Sequence, residues 1–350
     1  MMILGLMSGT SLDGVDLALC DITGERYSIL AAKTVPYSDE WCRRLSTLEN
    51  STALEYAKVN VELGHYYGKI IKCFLDEVKL PVDAVASHGH TIFHQPQIGL
   101  TTQIGDGDAI AAETGLPVVS NFRTLDVALG GQGAPLVPIG DELFFGEYDA
   151  CLNLGGIANI SYRSDGKRVA YDICPCNMAL NRLSSRLGFP YDKDGEIARA
   201  GVFNEDLNGV LNNIDYYNIN APKSLGKEWF LRAFWPMVEE SNEGVENLLA
   251  TVTRHVAGQV ARVLHRQKIG SVLVTGGGAF NKYLIECIET FAPQTKVLVP
   301  DELVVNYKEA LVFALLGYLR LMGKTNTLSS VTGARCDSVD GVLSGLVLGK

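Results

Sequence analysis

The chain lacks most of the features that decide a protein's class quickly. Its eight cysteines in 350 residues include no CxxC pair, which removes zinc ribbons and thioredoxin motifs and fits free thiols of a reducing compartment. Neither GxxxxGKS, GxxxxGKT nor GxGxxG occurs, so the P-loop and the dinucleotide fingerprint both fail. Long apolar runs are missing too. The longest, Ala310 to Leu319, stops at Arg320, whereas a membrane-spanning helix needs ~20 residues. Met1–Met7 is apolar but has no basic lead, and Asp13 and Asp16 follow closely. No signal peptide and no membrane partner are therefore expected, and the expected location is cytoplasmic. Positive charge is also scarce. Thirty basic against forty acidic side chains give a net charge of −10, which leaves no excess to track a phosphate backbone, so nucleic acid is not an expected partner.

What is present is an ordinary globular composition, 47% hydrophobic, on a chain long enough for two domains of roughly 100–200 residues each. Met2–Ser8 reads as a strand, Gly9–Gly14 as a turn, Val15–Ile22 as a second strand and Tyr27–Pro36 as a third. A long helix follows from Ala53. Thr52 with Glu55 makes a capping box, and Leu63, Tyr67, Ile70, Ile71, Phe74 and Val78 form its apolar stripe. Ala84–His88 reads as a strand and Asp106–Thr114 as a helix. The glycine-rich segment Gly130–Pro135 is the expected interdomain crossing. After Ala150 the order begins again: strands at Cys151–Leu154, Ile157–Tyr162 and Arg168–Ile173, a two-helix region, the helix Val245–His265, strands at Ser271–Thr275 and Lys296–Pro300, and a closing helix Glu309–Leu321. This repeated order predicts two α/β halves, residues 1–138 and 139–350, with room for the last helix to pack back on the first.

Three small-residue turns stand at strand ends: Gly9-Thr10-Ser11, Gly155-Gly156 and Gly276-Gly277-Gly278. Glycine there lets backbone N–H groups meet a phosphate without a Cβ in the way. The hydroxyls of Thr10 and Ser11 add donors, and Asp13 and Asp16 suit the water shell of a magnesium ion. His88 and His90 would share a strand face as an H-x-H pair, with His94 beyond, although a role in substrate contact or loop structure outweighs a metal. Cys174 and Cys176 make a poor zinc site with no partners nearby in sequence.

Met7-Ser8-Gly9-Thr10-Ser11-Leu12-Asp13-Gly14-Val15-Asp16 resembles the signature of the anhydro-N-acetylmuramic acid kinase family. Ser87-His88-Gly89 with Thr91, Gln103-Ile104-Gly105-Asp106, Asn121-Phe122-Arg123 with Asp126, and Gly130-Gly131-Gln132-Gly133-Ala134-Pro135 continue the likeness. So do Asn153-Leu154-Gly155-Gly156-Ile157-Ala158-Asn159, Pro190-Tyr191-Asp192-Lys193-Asp194, Gly276-Gly277-Gly278-Ala279 with Asn281, and Glu309-Ala310. The ordered set covers nearly the whole chain. The resemblance implies an α/β fold of two actin-like (ribonuclease H-like) domains with an ATP cleft between them. It further implies an enzyme that uses ATP and Mg²⁺ to open the 1,6-anhydro ring of anhydro-N-acetylmuramic acid and phosphorylate O6, in peptidoglycan recycling.

By the same resemblance, Gly9 through Asp16, Gly155, Gly156, Gly276, Gly277, Gly278 and Asn281 would bind ATP, with Asp13 holding Mg²⁺ through water. His88, Thr91, Arg123, Asp126 and Glu309 would bind the sugar, Arg123 by pairing with the lactyl carboxylate. The family's general base is the Asp of Phe-Asp-Thr-Gly-Pro-Gly-Asn, which aligns with Asp172 in Tyr171-Asp172-Ile173-Cys174-Pro175-Cys176-Asn177. Here Ile173, Cys174 and Cys176 depart from that pattern, and added side chains are expected to narrow the sugar site or move the peptide. The alternatives are a kinase for another amino sugar and a non-catalytic Hsp70-like ATP-binding protein. The expected partners are ATP and a small sugar, with a homodimer left open.

Overall fold

The computed structural model describes residues 1–9, 12–221 and 223–345. The expected phosphate contacts at Thr10 and Ser11 lie outside the described residues. The chain divides into two compact units, Met1–Phe144 with Tyr307–Lys350, and Phe145–Asn306.

In the first unit β1 (Met2–Ser8) pairs antiparallel with β2 (Val15–Thr23), which pairs antiparallel with β3 (Arg26–Val35). On its other side β1 runs parallel to β4 (Ala84–Ser87), and β4 parallel to β7 (Val118–Ser120). Both faces of β1 are covered, which is why its residues read as an apolar run rather than an alternation. The helix Ala53–Val78 starts where the capping box predicts, with Thr52 Oγ1 accepting from the Glu55 N–H at 3.2 Å. Its buried Leu63, Tyr67, Ile71 and Phe74 pack on Leu4, Leu6, Leu17 and Leu19. Strand β4 ends at Ser87, short of the expected His88, because Gly89 turns the chain at φ 74° against Ile104. His90 then opens a separate hairpin of β5 (His90–Gln95) and β6 (Leu100–Ile104). His88 and His90 do not share a strand, and no group of three or more metal-ligating side chains forms among the described residues.

The second unit repeats the plan. β8 (Ala150–Leu154), β9 (Ile157–Ser164) and β10 (Lys167–Pro175) are antiparallel neighbours, while β11 (Ser271–Thr275) and β12 (Lys296–Leu298) continue parallel from β8. Both sheets thus share one order: third, second, first, fourth, fifth strand. These are the two ribonuclease H-like α/β units expected. The helix Val245–Arg266 buries Leu248, Leu249, Val252, Val256 and Val260 in the second core. The expected two-helix region is instead a chain of short helices, broken at Gly188 and Gly195, both with left-handed φ, with a π-helical turn at Phe230–Phe234 just ahead of Pro236.

Two further expectations change. Gly130–Pro135 is not a crossing; the chain leaves the first unit at Phe144, after the helix Pro138–Phe144, because that helix packs on the returning segment. The closing helix runs Glu302–Leu321, starting before Glu309, with one non-helical residue, Tyr307, where the units divide. Beyond it β13 (Val342–Ser344) joins the edge of the first sheet, antiparallel to β7. Among the described residues no helix is long and apolar enough to cross a membrane.

The closing helix lies on β1 and β4 at backbone distance. A Cβ on Gly5 would fall inside the carbonyl oxygen of Ala310, and one on Gly317 would come within 2.5 Å of the Ala86 Cβ. Lys308 and Asp141, both buried, form an ion pair of 2.6 Å that ties this helix to Pro138–Phe144. A Gly5→Val substitution is expected to destabilise the first unit by about 3 kcal/mol or more, since neither backbone can yield. Urea unfolding of wild type and variant checks this; an unchanged midpoint contradicts the packing.

Candidate functional site

In the first unit the site is built around His88, which follows β4 and is 4% exposed. Arg123 donates to His88 Nε2 from both Nε (3.1 Å) and Nη2 (2.9 Å). An arginine has only donors, so Nε2 must be the unprotonated nitrogen. The proton sits on Nδ1 and is directed at the Ser8 carbonyl oxygen, 3.3 Å away. Burial, and then the positive charge of Arg123, hold the His88 pKa well below the usual histidine range. His88 is therefore a neutral bracket that aims Arg123. Arg123 Nη1 donates to the Gly133 carbonyl at 2.6 Å. Three of the five guanidinium N–H groups are engaged in this way.

Burial lowers the Arg123 pKa to about 10, while Glu309 and Asp126 oppose that shift. Glu309 remains accessible to solvent yet closely surrounded by protein, which raises its carboxyl pKa; Arg123 lowers it and Asp16 raises it. Asp126 takes a different part from the one expected. It is fully buried, and its carboxylate accepts from the Gly133 N–H at 2.7 Å and from Thr332 Oγ1 at 2.6 Å. Protein donors occupy it, so it shapes the glycine loop that Arg123 grips. Thr91 accepts from Gln103 Nε2 at 3.3 Å across the β5–β6 hairpin, and exposed His94 meets Thr101 Oγ1 at 3.1 Å.

The end of β1 is held by a buried relay. Ser8 Oγ lies 2.7 Å from Tyr37 OH and 3.0 Å from His90 Nδ1, and Tyr37 OH lies 2.7 Å from Tyr67 OH. Burial drops His90 to a pKa of about 4, so it stays neutral beside Ser8. Leu12 adopts a left-handed φ of 61°, and its carbonyl accepts from the Cys42 thiol at 3.3 Å. Val15 is fully buried in β2, and Gly14 lacks a side chain because a Cβ there would come within 2.6 Å of the Val35 carbonyl oxygen. Asp16 accepts from Thr34 Oγ1 at 2.6 Å; burial raises its pKa, and the charge of Asp13 adds to the rise. Two carboxylates that repel each other suit a divalent ion.

In the second unit Asp172 lies on β10 beside a bulge: Asp172 faces Asn159, yet Cys174 already faces Ala158, leaving Ile173 as the extra residue. Three contacts clamp it. Its N–H donates to the Lys223 carbonyl at 3.3 Å, its carbonyl accepts from Tyr216 OH at 2.7 Å, and Oδ2 accepts from the Leu225 N–H at 2.8 Å. Burial raises the carboxyl pKa against the pull of the Leu225 N–H, which makes Asp172 a better proton acceptor. Thr275, Asn153, Asn159 and Asp172 stand opposite one another on β11, β8, β9 and β10. This polar row was missed in the sequence. Its trace was the near-symmetric spacing of Asn153 and Asn159 about Gly155-Gly156.

Glycine has two tasks here. A Cβ on Gly276, whose φ is 81°, would strike the Asn153 Oδ1, and one on Gly278 would come within 2.7 Å of the Leu154 Cβ. Gly156 and Gly277 are exposed, and a Cβ there would meet nothing nearer than 3.9 and 3.6 Å. The first pair closes β11 onto β8. Gly155 and Gly156 carry the N-terminus of the helix Asn177–Ser184, accepting from the N–H groups of Asn177 (3.1 Å), Cys176 (2.9 Å) and Met178 (3.0 Å). Asn281 caps the helix Lys282–Phe291 through the Leu284 N–H at 3.0 Å. Cys174 and Cys176 are fully buried within the second core, so their side chains do not line an open site.

The family model described as anhydro-N-acetylmuramic acid kinase matches residues 1–345. The anhydro-N-acetylmuramic acid kinase of Bacillus cereus (strain G9842) is 34% identical over 369 aligned residues, covering 96% of this chain and 97% of that protein. Its counterpart from Shewanella sp. (strain ANA-3) is 33% identical over 360 residues, covering 97% of each. Among solved structures, the activator of the 2-hydroxyisocaproyl-CoA dehydratase from Clostridium difficile with bound ADPNP has a TM-score of 0.45 at 13% identity, covering 92% of this chain and 98% of that one. A ROK family glucokinase from Streptomyces griseus in complex with glucose and AMPPNP has a TM-score of 0.42 at 14% identity, covering 90% and 98%.

The two kinds of glycine separate experimentally. Gly277→Val is expected to leave the unfolding midpoint within about 0.5 kcal/mol while weakening ATP binding at least tenfold, because its Cβ meets only ordinary contacts. Gly276→Val is expected to destabilise the second unit outright. Calorimetric ATP titration of the folded Gly277→Val protein reads the difference, and undiminished affinity removes Gly277 from the nucleotide site.

Proposed function

The chain belongs to the anhydro-N-acetylmuramic acid kinase family and is an ATP-dependent sugar kinase of cell-wall recycling, and on that premise we propose that Asp172 is the general base of its ring-opening step. The substrate is anhydro-N-acetylmuramic acid. A water attacks C1 of the 1,6-anhydro sugar and gives its proton to the Asp172 carboxylate. The C1–O6 bond breaks, and O6 forms a bond to the γ-phosphorus of ATP, leaving N-acetylmuramic acid 6-phosphate and ADP. The observation that carries the reading is the clamp on Asp172: the Leu225 N–H holds one carboxylate oxygen, and burial raises the pKa of the group.

Arg123 reads the lactyl carboxylate. Its Nε and one N–H on each terminal nitrogen are engaged by His88 and Gly133. The second N–H groups of Nη1 and Nη2 match the two oxygens of a carboxylate. Glu309, partnered electrostatically by Arg123, serves the sugar beside it. Asp13 and Asp16 would hold Mg²⁺, which would supply charge neutralisation for the phosphates. Gly156 and Gly277 present backbone N–H groups to them. Burial of Cys174 and Cys176 in the core speaks against a change of amino sugar made by their side chains.

Asp172→Asn keeps the size of the side chain but cannot take the proton. Turnover is expected to fall by ~10²–10⁴-fold with ATP and sugar still bound. In ¹⁸O-water the wild type is expected to place label at C1 of the product and none in the phosphate. Full activity of Asp172→Asn, or label in the phosphate, contradicts this chemistry.

For the carboxylate contact, Arg123→Leu is expected to lower kcat/KM on the muramic substrate roughly 10- to 150-fold, about 1.5–3 kcal/mol, relative to an anhydro sugar lacking the lactyl group. Equal losses on both sugars would remove that role from Arg123.

A further inference from the structure

The second unit holds a cavity of about 120 Å³ that none of the chemistry above uses. That is too small for a nucleotide, whose class of pocket runs to ~300–1,000 Å³. Its wall includes Tyr171 and Ile173, the neighbours of Asp172 on β10, together with Lys223, Arg262, Arg266 and Gln267. No carboxylate is among its described lining residues. Arg262 and Arg266 stand one turn apart on the helix Val245–Arg266, a like-charged spacing that is unfavourable by itself. Lys223 lines the same recess, its ammonium 4.3 Å from the centre of the Tyr216 ring. After burial, the Arg266 charge is the main influence pushing the Lys223 pKa down. Arg266 spends Nη2 on a neutral acceptor, Asn220 Oδ1, at 2.8 Å. Three cations around a small recess with no anion among them gain stability when an oxyanion enters.

The recess is mechanically joined to Asp172. Lys223 supplies the carbonyl that receives the Asp172 N–H, and Leu225, two residues on, supplies the N–H that holds the Asp172 carboxylate. The Lys223 ammonium donates to the Tyr216 carbonyl at 3.0 Å, and Tyr216 OH donates to the Asp172 carbonyl at 2.7 Å. A ligand that draws Lys223 toward Arg262 and Arg266 therefore pulls on every strap around Asp172.

We propose that this cavity is a second anion site, separate from the nucleotide turns, that takes a small oxyanion of the phosphate class and adjusts the setting of Asp172 through Lys223–Leu225. The coupling to turnover rests on the reading of Asp172 as the base; the binding does not.

Inorganic phosphate is the probe, with the full chain. Wild type is expected to show a saturable rise of the thermal midpoint with phosphate, as a ligand selective for the folded state produces. The Arg262→Gln/Arg266→Gln double variant, altered only at exposed positions, is expected to need at least tenfold more phosphate for the same rise. Gly277→Val is expected to keep the wild-type response. A linear, unsaturable rise shared by wild type and the double variant is a solvent effect and overturns the site. Loss of the response in Gly277→Val instead places the anion in the nucleotide turns and also overturns it. With saturating ATP and sugar, phosphate is expected to change the wild-type kcat at least twofold and leave that of the double variant unchanged. Saturable binding with a flat kcat keeps the site and overturns the coupling. Full activity of Asp172→Asn would remove the base assignment while leaving the phosphate midpoint shifts as they are.

Discussion

The first unit depends on one close approach, that of the closing helix to the central strand β1. Gly5 has no side chain, so the Ala310 carbonyl rests directly on the strand, and Gly317 lets the next turns settle on Ala86. The buried pair Lys308–Asp141 holds the same helix from its other side. Glu309 lies between these anchors, which fixes its charge near Arg123 and Asp16. A methyl group at Gly5 would lift the helix and take Glu309 with it. Packing and electrostatics are here the same constraint.

Arg123 in this unit is positioned by a histidine whose pKa is held well below the usual range. His88 sits among polar groups yet is kept neutral by burial and by Arg123, so it accepts with Nε2 while Nδ1–H is directed to Ser8. A protonated ring would repel the guanidinium it positions. His90, on the following strand, is neutral for the simpler reason of burial. His88 and His90 hold one arginine and one serine.

In the second unit Asp172 stands at an irregularity of its strand. The bulge at Ile173 shifts the register of β10 on β9, and a passing loop ties Asp172 by backbone groups at Lys223 and Leu225. Backbone partners leave the loop side chains available for other work, and the Lys223 ammonium donates to the Tyr216 carbonyl while it feels the charge of Arg266. The cysteines at 174 and 176 face the core, which explains how positions that the family fills with glycine accept side chains.

Much of this was legible from residues alone. The strand–turn–strand openings, the capped helix from Ala53, the apolar stripe of Val245–Arg266 and the small-residue turns all follow from local periodicity and local steric freedom. The ordered motifs carried the family. Tertiary structure decided the rest, because it turned on groups distant in sequence. It separated the glycines that pack, Gly14, Gly276 and Gly278, from those left open, Gly156 and Gly277. It drew Asp126 into the protein through Thr332, more than two hundred positions away in the chain, and it returned the last segment to the first unit. It placed His88 and His90 on different elements, since one left-handed glycine between them ends a strand. A sequence pattern records which side chains are available at a position. Which of them meet a ligand and which meet each other is set by long-range burial, and no local period encodes that.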